Sequence, residues 1–412
     1  RRRPADPRTP RAGAPPRGVT GVRPRAAARR FGRTNSTPEG RYRMTTATPL
    51  NDRIHSLIEQ QIADGKQLGV QVAAYRHGEC IIDTWAGTMG PRDPRPVGVE
   101  SLFLSFSTTK GVAATALHIL ADRGVVDYDA PVAKYWPEFA QQGKENVTVA
   151  QAMSHQAGLH AVRQPHRIEY VEDWDGYVDW IAAQPPAWEP GTATGYHALT
   201  YAWIVGGIVQ GASGRHIRDV IREEIAEPLG IADDMHVGIP DGLEERLTSL
   251  QQSAPPAGAG AAPPIPPDHD YFKAMPAQSD FTFNDMRLRK ACLPSANGHF
   301  TARALAKMYG ALANGGEIEG ARIISEERIP QLHRLMTDQP DRVLMRPVRK
   351  GIGFFLGGDG PLGPNTFGPR TTAFGHSGAG GSTAFADPEA GLSVAVTLNK
   401  MQTSLQGEGP TF

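Results

Sequence analysis

The sequence predicts an α+β fold: an antiparallel sheet built from N- and C-terminal strands, flanked by helices, with a mostly helical second domain between them. Three observations predict it. Residues 68–87 (LGVQVAAYRHGECIIDTWAG) read as two strands joined at His77-Gly78. The last hundred residues turn to strand signals: GIGFFLGG, RTTAFGHSG, STAFADP and LSVAVTLN. Between these ends lie helix-patterned segments. The expected division is 44–106 with 300–412 for the sheet part and 107–299 for the helical part.

Taken in order, residues 50–64 carry apolar positions at helical spacing, and Gly65 is a stop signal. FLSF (103–106) is a short apolar entry. Residues 107–123 predict a helix whose inward face is Ala113, Ala116, Leu117 and Leu120, closed by Gly124. Thr148 and Gln151 form a capping box. Further helices are expected at 172–183, 197–211 and 301–314. A Pro/Ala/Gly-rich run at 252–268 predicts a loop or lid. The last two strand segments flank a hairpin turn, Pro388 to Gly391.

Composition narrows the function classes. The chain has 412 residues, 40% hydrophobic and 21% charged, ordinary for a soluble globular protein. Its net charge of zero hides thirteen arginines in residues 1–43 against Asp6 and Glu39, which leaves a mildly acidic body. That body gives no reason to expect nucleic acid or an anionic membrane as partner. Residues 1–43 hold too little apolar surface to offset ordering entropy and are expected to be disordered. An RNA-binding arm has only Phe31 and Tyr42 for stacking, and Pro and Gly spoil an amphipathic transit helix. Sequence upstream of a start at Met44 is the favoured reading. No apolar run approaches about 18 residues, and cytoplasmic is the default expectation. Cys80 and Cys292 are too few for a disulfide framework and read as buried thiols.

Ser107 and Lys110 stand three apart, at the junction of an apolar loop and a helix. That spacing aims a hydroxyl and an amine at one spot. A serine hydroxyl needs a base, and a buried lysine can serve because desolvation disfavours its charged form. A solvated lysine after a capping serine is the bland alternative. Tyr196, where a new helix is expected to begin, can be a second base or proton relay, or a packed aromatic. Glycines 375, 378, 380 and 381 surround His376 and lead into a strand. Glycine permits close backbone approach to a ligand, although a plain turn is equally consistent. His155, His160 and His166 are spaced five and six apart, off one helical face, and no metal site is expected. No Gly-x-Ser-x-Gly elbow or nucleotide-binding glycine loop occurs.

These motifs in this order resemble the serine β-lactamase-like superfamily: class C β-lactamases, DD-peptidases and family VIII esterases. The likeness spans about residues 50–400. It includes VTVAQAMSHQAGL (147–159), LPSANGHFTARALAKMYGALANGG (293–316) and GHSGAGGSTAFADPEAGLSVAVTLNKM (375–401), the last two similar to the esterase branch. The resemblance implies Ser107 as acylated nucleophile, Lys110 as its activating amine and Tyr196 as the partner base that protonates the leaving alkoxide. It implies the backbone N–H groups of Ser107 and Ala379 as oxyanion donors, and places His376, Ser377 and Gly378 against the substrate. No cofactor is implied.

Two departures favour esters. Ala198 stands where lactamases carry an asparagine, and His376 replaces a lysine that pairs with the β-lactam carboxylate. A neutral imidazole does that poorly. The expectation is a serine esterase for short or medium acyl esters, acting in a cleft partly roofed by residues 252–285. A β-lactamase or DD-peptidase, an acyltransferase on the same serine, and a catalytically idle binding protein remain as alternatives, and the sequence leaves the oligomeric state open. Family members end in a helix that covers the sheet, and QTSLQGEGPTF leaves no room for one. Either the sequence is cut short or the first helix lies against an under-covered face.

Overall fold

A computed structural model describes residues 48–252, 265–276, 278–360, 363–364 and 366–401. The arginine-rich segment 1–43 and much of the expected lid lie outside these residues.

Helix α1 (Pro49–Ala63) starts with Thr48, whose hydroxyl accepts the Asn51 N–H, and with a proline in its first turn. Strands β1 (Gly69–Arg76) and β2 (Glu79–Gly90) form the expected hairpin. Its two turn residues, His77 and Gly78, both have positive φ, 49° and 80°, which matches the right-handed twist of the strands. Strands β3 (Asp93–Pro96) and β4 (Phe103–Leu104) lead into α2 (Thr109–Asp122). The middle of the chain carries α3 (Val149–Met153), α4 (Ile168–Glu172), α5 (Trp174–Ala183), α6 (Tyr201–Ser213) and α7 (Ile217–Ile221). After β5 (Met235–Val237) come α8 (Asp270–Ala274), α9 (Met286–Lys290), β6 (Gly298–Phe300) and α10 (Ala302–Ala313). A small hairpin β7–β8 (Glu317–Ile318, Ala321–Arg322) and α11 (Ile329–Leu332) precede β9 (Phe355–Leu356). The minor ladder β10–β11 (Asp359–Gly360, Gly363–Pro364) follows, then β12 (Phe374–Ser377), β13 (Thr383–Asp387) and β14 (Leu392–Leu398).

The main sheet has the order β3-β2-β1-β14-β13-β12-β9, antiparallel throughout. The first and last strands of the chain therefore meet at its centre, with Val72 opposite Val396. The period-two alternation of β1 gives each face its own partner. Val70 and Val72 join Ile58 and Leu398 under α1, whereas Ala73 and Tyr75 enter the main core. Helix α10 packs across β1, β13 and β14. The helix thus has sheet beside it on its buried face, and α1 lies on the sheet against β2.

Three expectations need correction. The helix expected over 107–123 begins at Thr109, so Ser107 sits in the turn before it. It has no single inward face: every residue from Thr109 to Ala121 is buried, because α6, α7 and β12 all pack around it. Small side chains make that possible; a Cβ on Gly111 would lie 1.9 Å from the Tyr309 hydroxyl. The helix expected at 197–211 starts at Tyr201, and residues 192–198 form an irregular segment instead. Of GIGFFLGG, only Phe355–Leu356 is a strand. Among the described residues no helix is long and apolar enough to cross a membrane.

Candidate active site

Ser107 is placed by backbone features on either side of it. Phe106 has φ 47°, a left-handed conformation that costs a bulky residue about 1–3 kcal/mol. Its carbonyl accepts from both the Thr109 N–H (3.0 Å) and the Thr109 hydroxyl (2.5 Å). That hydroxyl in turn accepts the Gly298 N–H at 2.9 Å, tying the turn to β6. The Phe106 ring packs on Phe283, with centroids 4.8 Å apart.

Lys110 is fully buried. Its Nζ lies 3.1 Å from Ser107 Oγ, 2.7 Å from the Ala198 carbonyl oxygen and 2.8 Å from the Ser295 carbonyl oxygen. No carboxylate is among these partners. Burial therefore drives the amine well below its ordinary 10.5. A neutral amine has two N–H groups and one lone pair. The two carbonyls can only accept, so they take both N–H groups and turn the lone pair toward Ser107.

Both carbonyls are held in place. Asn297 donates to the Leu288 and Ala291 carbonyls, each at 2.7 Å, and accepts the Leu293 N–H, which fixes the loop carrying Ser295. The Ser295 hydroxyl donates to the Leu199 carbonyl at 2.8 Å, joining this loop to the residue after Ala198.

Tyr196 is buried, with its ring centroid 4.7 Å from Lys110 Nζ and its hydroxyl a hydrogen-bonding neighbour of Ser107. Desolvation raises its phenol above the ordinary 10, an effect stronger than the opposing hydrogen bond with Ser107. The group is a phenol, not a phenolate, at neutral pH. His155 packs on the ring at 5.0 Å and accepts the His197 N–H at its Nδ1.

The end of β12 closes the site. A Cβ on Gly378 would lie 2.2 Å from the Ser105 carbonyl, so only glycine lets this strand end approach the 105–107 segment. Among the described residues, neither the Ser107 N–H nor the Ala379 N–H has a protein acceptor, and Ala379 is exposed. His376 is buried, and its Nδ1 lies 2.8 Å from the Ser377 carbonyl. That contact makes Nδ1 the donor and leaves Nε2, which has no partner among the described residues, as an acceptor. Burial holds this imidazole down at about 3. The Ser377 hydroxyl pairs with Thr383 at 3.0 Å.

Beside Tyr196 lies an apolar wall of Ala198, Ala274, Val343 and the half-buried Met275, Leu344 and Phe355. The C-terminal end of α8, in the segment expected to roof the site, therefore belongs to the same apolar cluster as the tyrosine. Its anchor is Asp270, which meets Arg342 (2.9 Å), Lys273 (3.1 Å) and His160 (3.2 Å).

The structure thus brings Ser107, Lys110 and Tyr196 into one cluster, with the β12 residues alongside. Sequence reasoning missed the carbonyls of Ala198 and Ser295 and the side chains of Asp341 and Lys350. Ser295 and Asn297 fell inside a stretch already singled out, so a signal existed there. Asp341 and Lys350 sit in a polar-looking run, TDQPDRVLMRPVRK, that gives none.

This fold and cluster define a hydrolase of the serine β-lactamase fold. The chain belongs to the Beta-lactamase family, whose model matches residues 54–410. It is 37% identical over 349 residues to the esterase/beta-lactamase LipL of Mycobacterium tuberculosis (strain ATCC 25618 / H37Rv), covering 82% of this chain and 78% of that one. A crystal structure of a family VIII carboxylesterase superposes with TM-score 0.80 and 36% identity, over 88% of this chain and 95% of the other. A penicillin-binding protein homologue from Caulobacter crescentus gives 0.79 and 37% over the same shares.

Proposed function

We propose that this protein is a serine carboxylesterase that cleaves short or medium acyl esters through an acyl-enzyme on Ser107. The observation that carries this is the Lys110 amine, placed 3.1 Å from the Ser107 hydroxyl, fixed there by two backbone carbonyls and pushed well below its ordinary pKa by burial.

Lys110 takes the Ser107 proton as Oγ attacks the ester carbonyl carbon. The free N–H groups of Ser107 and Ala379 receive the oxyanion, a contribution typically worth 10²–10³ in rate. When the tetrahedral species collapses, the carbon–oxygen bond to the alcohol breaks. The departing alkoxide takes the Tyr196 proton, and the Lys110 ammonium returns a proton to the phenol. Water then attacks the acyl carbon, passing its proton to this pair, and Ser107 leaves with a proton restored.

Lys110 is the first base and Tyr196 the acid, because burial moves their pKa values in opposite senses. The apolar wall of Ala198, Ala274, Met275, Val343, Leu344 and Phe355 suits an aliphatic chain. His376 is neutral and its Nε2 can only accept, so a substrate carboxylate finds no cation there. Ala198 offers no side-chain amide to a peptide or lactam. Both features support ester over lactam substrates.

The test is a substrate panel with active-site labelling. p-Nitrophenyl butyrate should be hydrolysed far faster than a chromogenic cephalosporin, and a fluorophosphonate should add mass at Ser107 but not to Ser107→Ala. The reverse substrate ranking overturns the esterase reading. Absence of both labelling and turnover favours an idle binding protein.

A further inference from the structure

Tyr196 lies in the irregular segment 192–198, where neither helix nor strand fixes its backbone. Backbone groups buried in such a segment need other partners. They come from two sides: His155 accepts the Gly195 and His197 N–H groups, each at 3.1 Å, and the 337–350 loop holds residues 194 and 196. Asp341 Oδ1 accepts three backbone N–H groups: Tyr196 at 3.1 Å, Val343 at 2.8 Å and Leu344 at 2.7 Å. Its Oδ2 lies 2.7 Å from Lys350 Nζ, and both side chains are buried. Lys350 also donates to the Thr194 hydroxyl at 2.8 Å, two residues before Tyr196. The loop presenting them is closed by the bridges Thr337–Lys350 and Pro340–Pro347.

We propose that Asp341, charge-balanced by Lys350, is a positioning residue that sets the Tyr196 phenol against Ser107. The pair grips the segment at two points, residue 196 through the carboxylate and residue 194 through the ammonium. A buried ion pair rarely adds net stability over an apolar replacement, because desolvation offsets most of the Coulombic gain. Its use here is geometric: one oxygen gathers the tyrosine's own N–H together with those of Val343 and Leu344, which line the apolar wall. The adjacent Arg342 backbone N–H donates to the Thr194 carbonyl at 2.9 Å, and its side chain meets Asp270 of α8. The same four-residue stretch therefore holds the tyrosine, the wall and the roof.

This inference rests on Tyr196 being the acid that protonates the leaving alkoxide. Such an acid matters most for a strongly basic leaving group and little for nitrophenolate, which departs unaided. The readout is kcat/KM for ethyl butyrate against p-nitrophenyl butyrate, with folding followed by circular dichroism and Tm. Tyr196→Phe should lose at least about 100-fold on the ethyl ester and under about tenfold on the nitrophenyl ester, within the range of general acid catalysis. Asp341→Ala with Lys350→Met should reproduce that asymmetry and add little on the Tyr196→Phe background. Asp341→Asn with Lys350→Met keeps the acceptor oxygen and should restore most of the ethyl ester activity. If the alanine variant does not fold, Asp341→Ser with Lys350→Met is read the same way. Equal losses on both esters, or no loss, in the Asp341 variants while Tyr196→Phe shows the asymmetry overturn the positioning role alone. No asymmetry in Tyr196→Phe itself overturns the acid assignment, and the inference with it.

Discussion

Lys110 and Lys350 are both fully buried, yet the regions around them treat the same side chain in opposite ways. Around Lys350 burial pushes the amine down, and the Asp341 carboxylate at 2.7 Å offsets part of that shift. Around Lys110 only desolvation acts, and its partners are two carbonyls and a hydroxyl. A carboxylate keeps a buried lysine as a structural cation. Uncharged acceptors let it become a neutral amine with a lone pair, which is a base. The chemistry follows from what surrounds each lysine, since the residue and its burial are the same.

Removing Lys110 is the severest way to probe this contrast. Lys110→Met should lower ester hydrolysis by about 10⁴-fold, the upper range for a general base, while unfolding stays cooperative with Tm within a few degrees. An activity loss under about tenfold would show that the amine is not the base.

Lys350→Met should act on stability instead. It strands the Asp341 carboxylate in the interior, which costs about 3–5 kcal/mol. Asp341→Asn with Lys350→Met should return to within about 2 kcal/mol of the parent, because no charge is then left unpaired. Urea unfolding of both variants checks this, and a single variant as stable as the parent would mean that Asp341 carries no charge there.

The pH profile sharpens the contrast further. Lys110 must be deprotonated to act, so kcat/KM falls as pH drops through its depressed pKa, well below 10.5. Tyr196 must be protonated, so activity also falls as pH rises through a pKa above 10. The acid limb should therefore lie well below 10.5, with both limbs belonging to the coupled pair. An acid limb near 10 would show that Lys110 is an ordinary ammonium.

The smallest expected effect comes from adding a cation beside the first lysine. His376→Lys offers a carboxylate partner next to Lys110, and should raise cephalosporin turnover by about tenfold, roughly the worth of one charge-assisted hydrogen bond. Steady-state rates on the cephalosporin and on p-nitrophenyl butyrate read the change in preference.

Much of this was legible in the chain because the signals are local. The Ser107–Lys110 spacing, the Thr148–Gln151 capping box and the His77-Gly78 turn each involve residues within a few positions of one another. Strand signals at 68–87 and in LSVAVTLN marked β1, β2 and β14, and the turn at 388–391 paired the last two strands. The start of α6 was misplaced because Tyr196-His197-Ala198 carries no helix-breaking residue. Its N–H groups go instead to His155 and to Asp341, the latter 145 residues away in sequence.

The sequence alone determined that a hydroxyl and an amine stand three positions apart at the mouth of a helix, a separation one turn can span, as the Lys110 N–H to Ser107 carbonyl bond at 3.0 Å does. Only the tertiary structure decided that the amine would be buried without a carboxylate, the condition under which it can serve as a base. That outcome depends on the carbonyls of Ala198 and Ser295, which any residue type supplies and which therefore leave no mark in composition or pattern. It depends equally on excluding water and carboxylates from the Lys110 amine, a property of packing among distant segments.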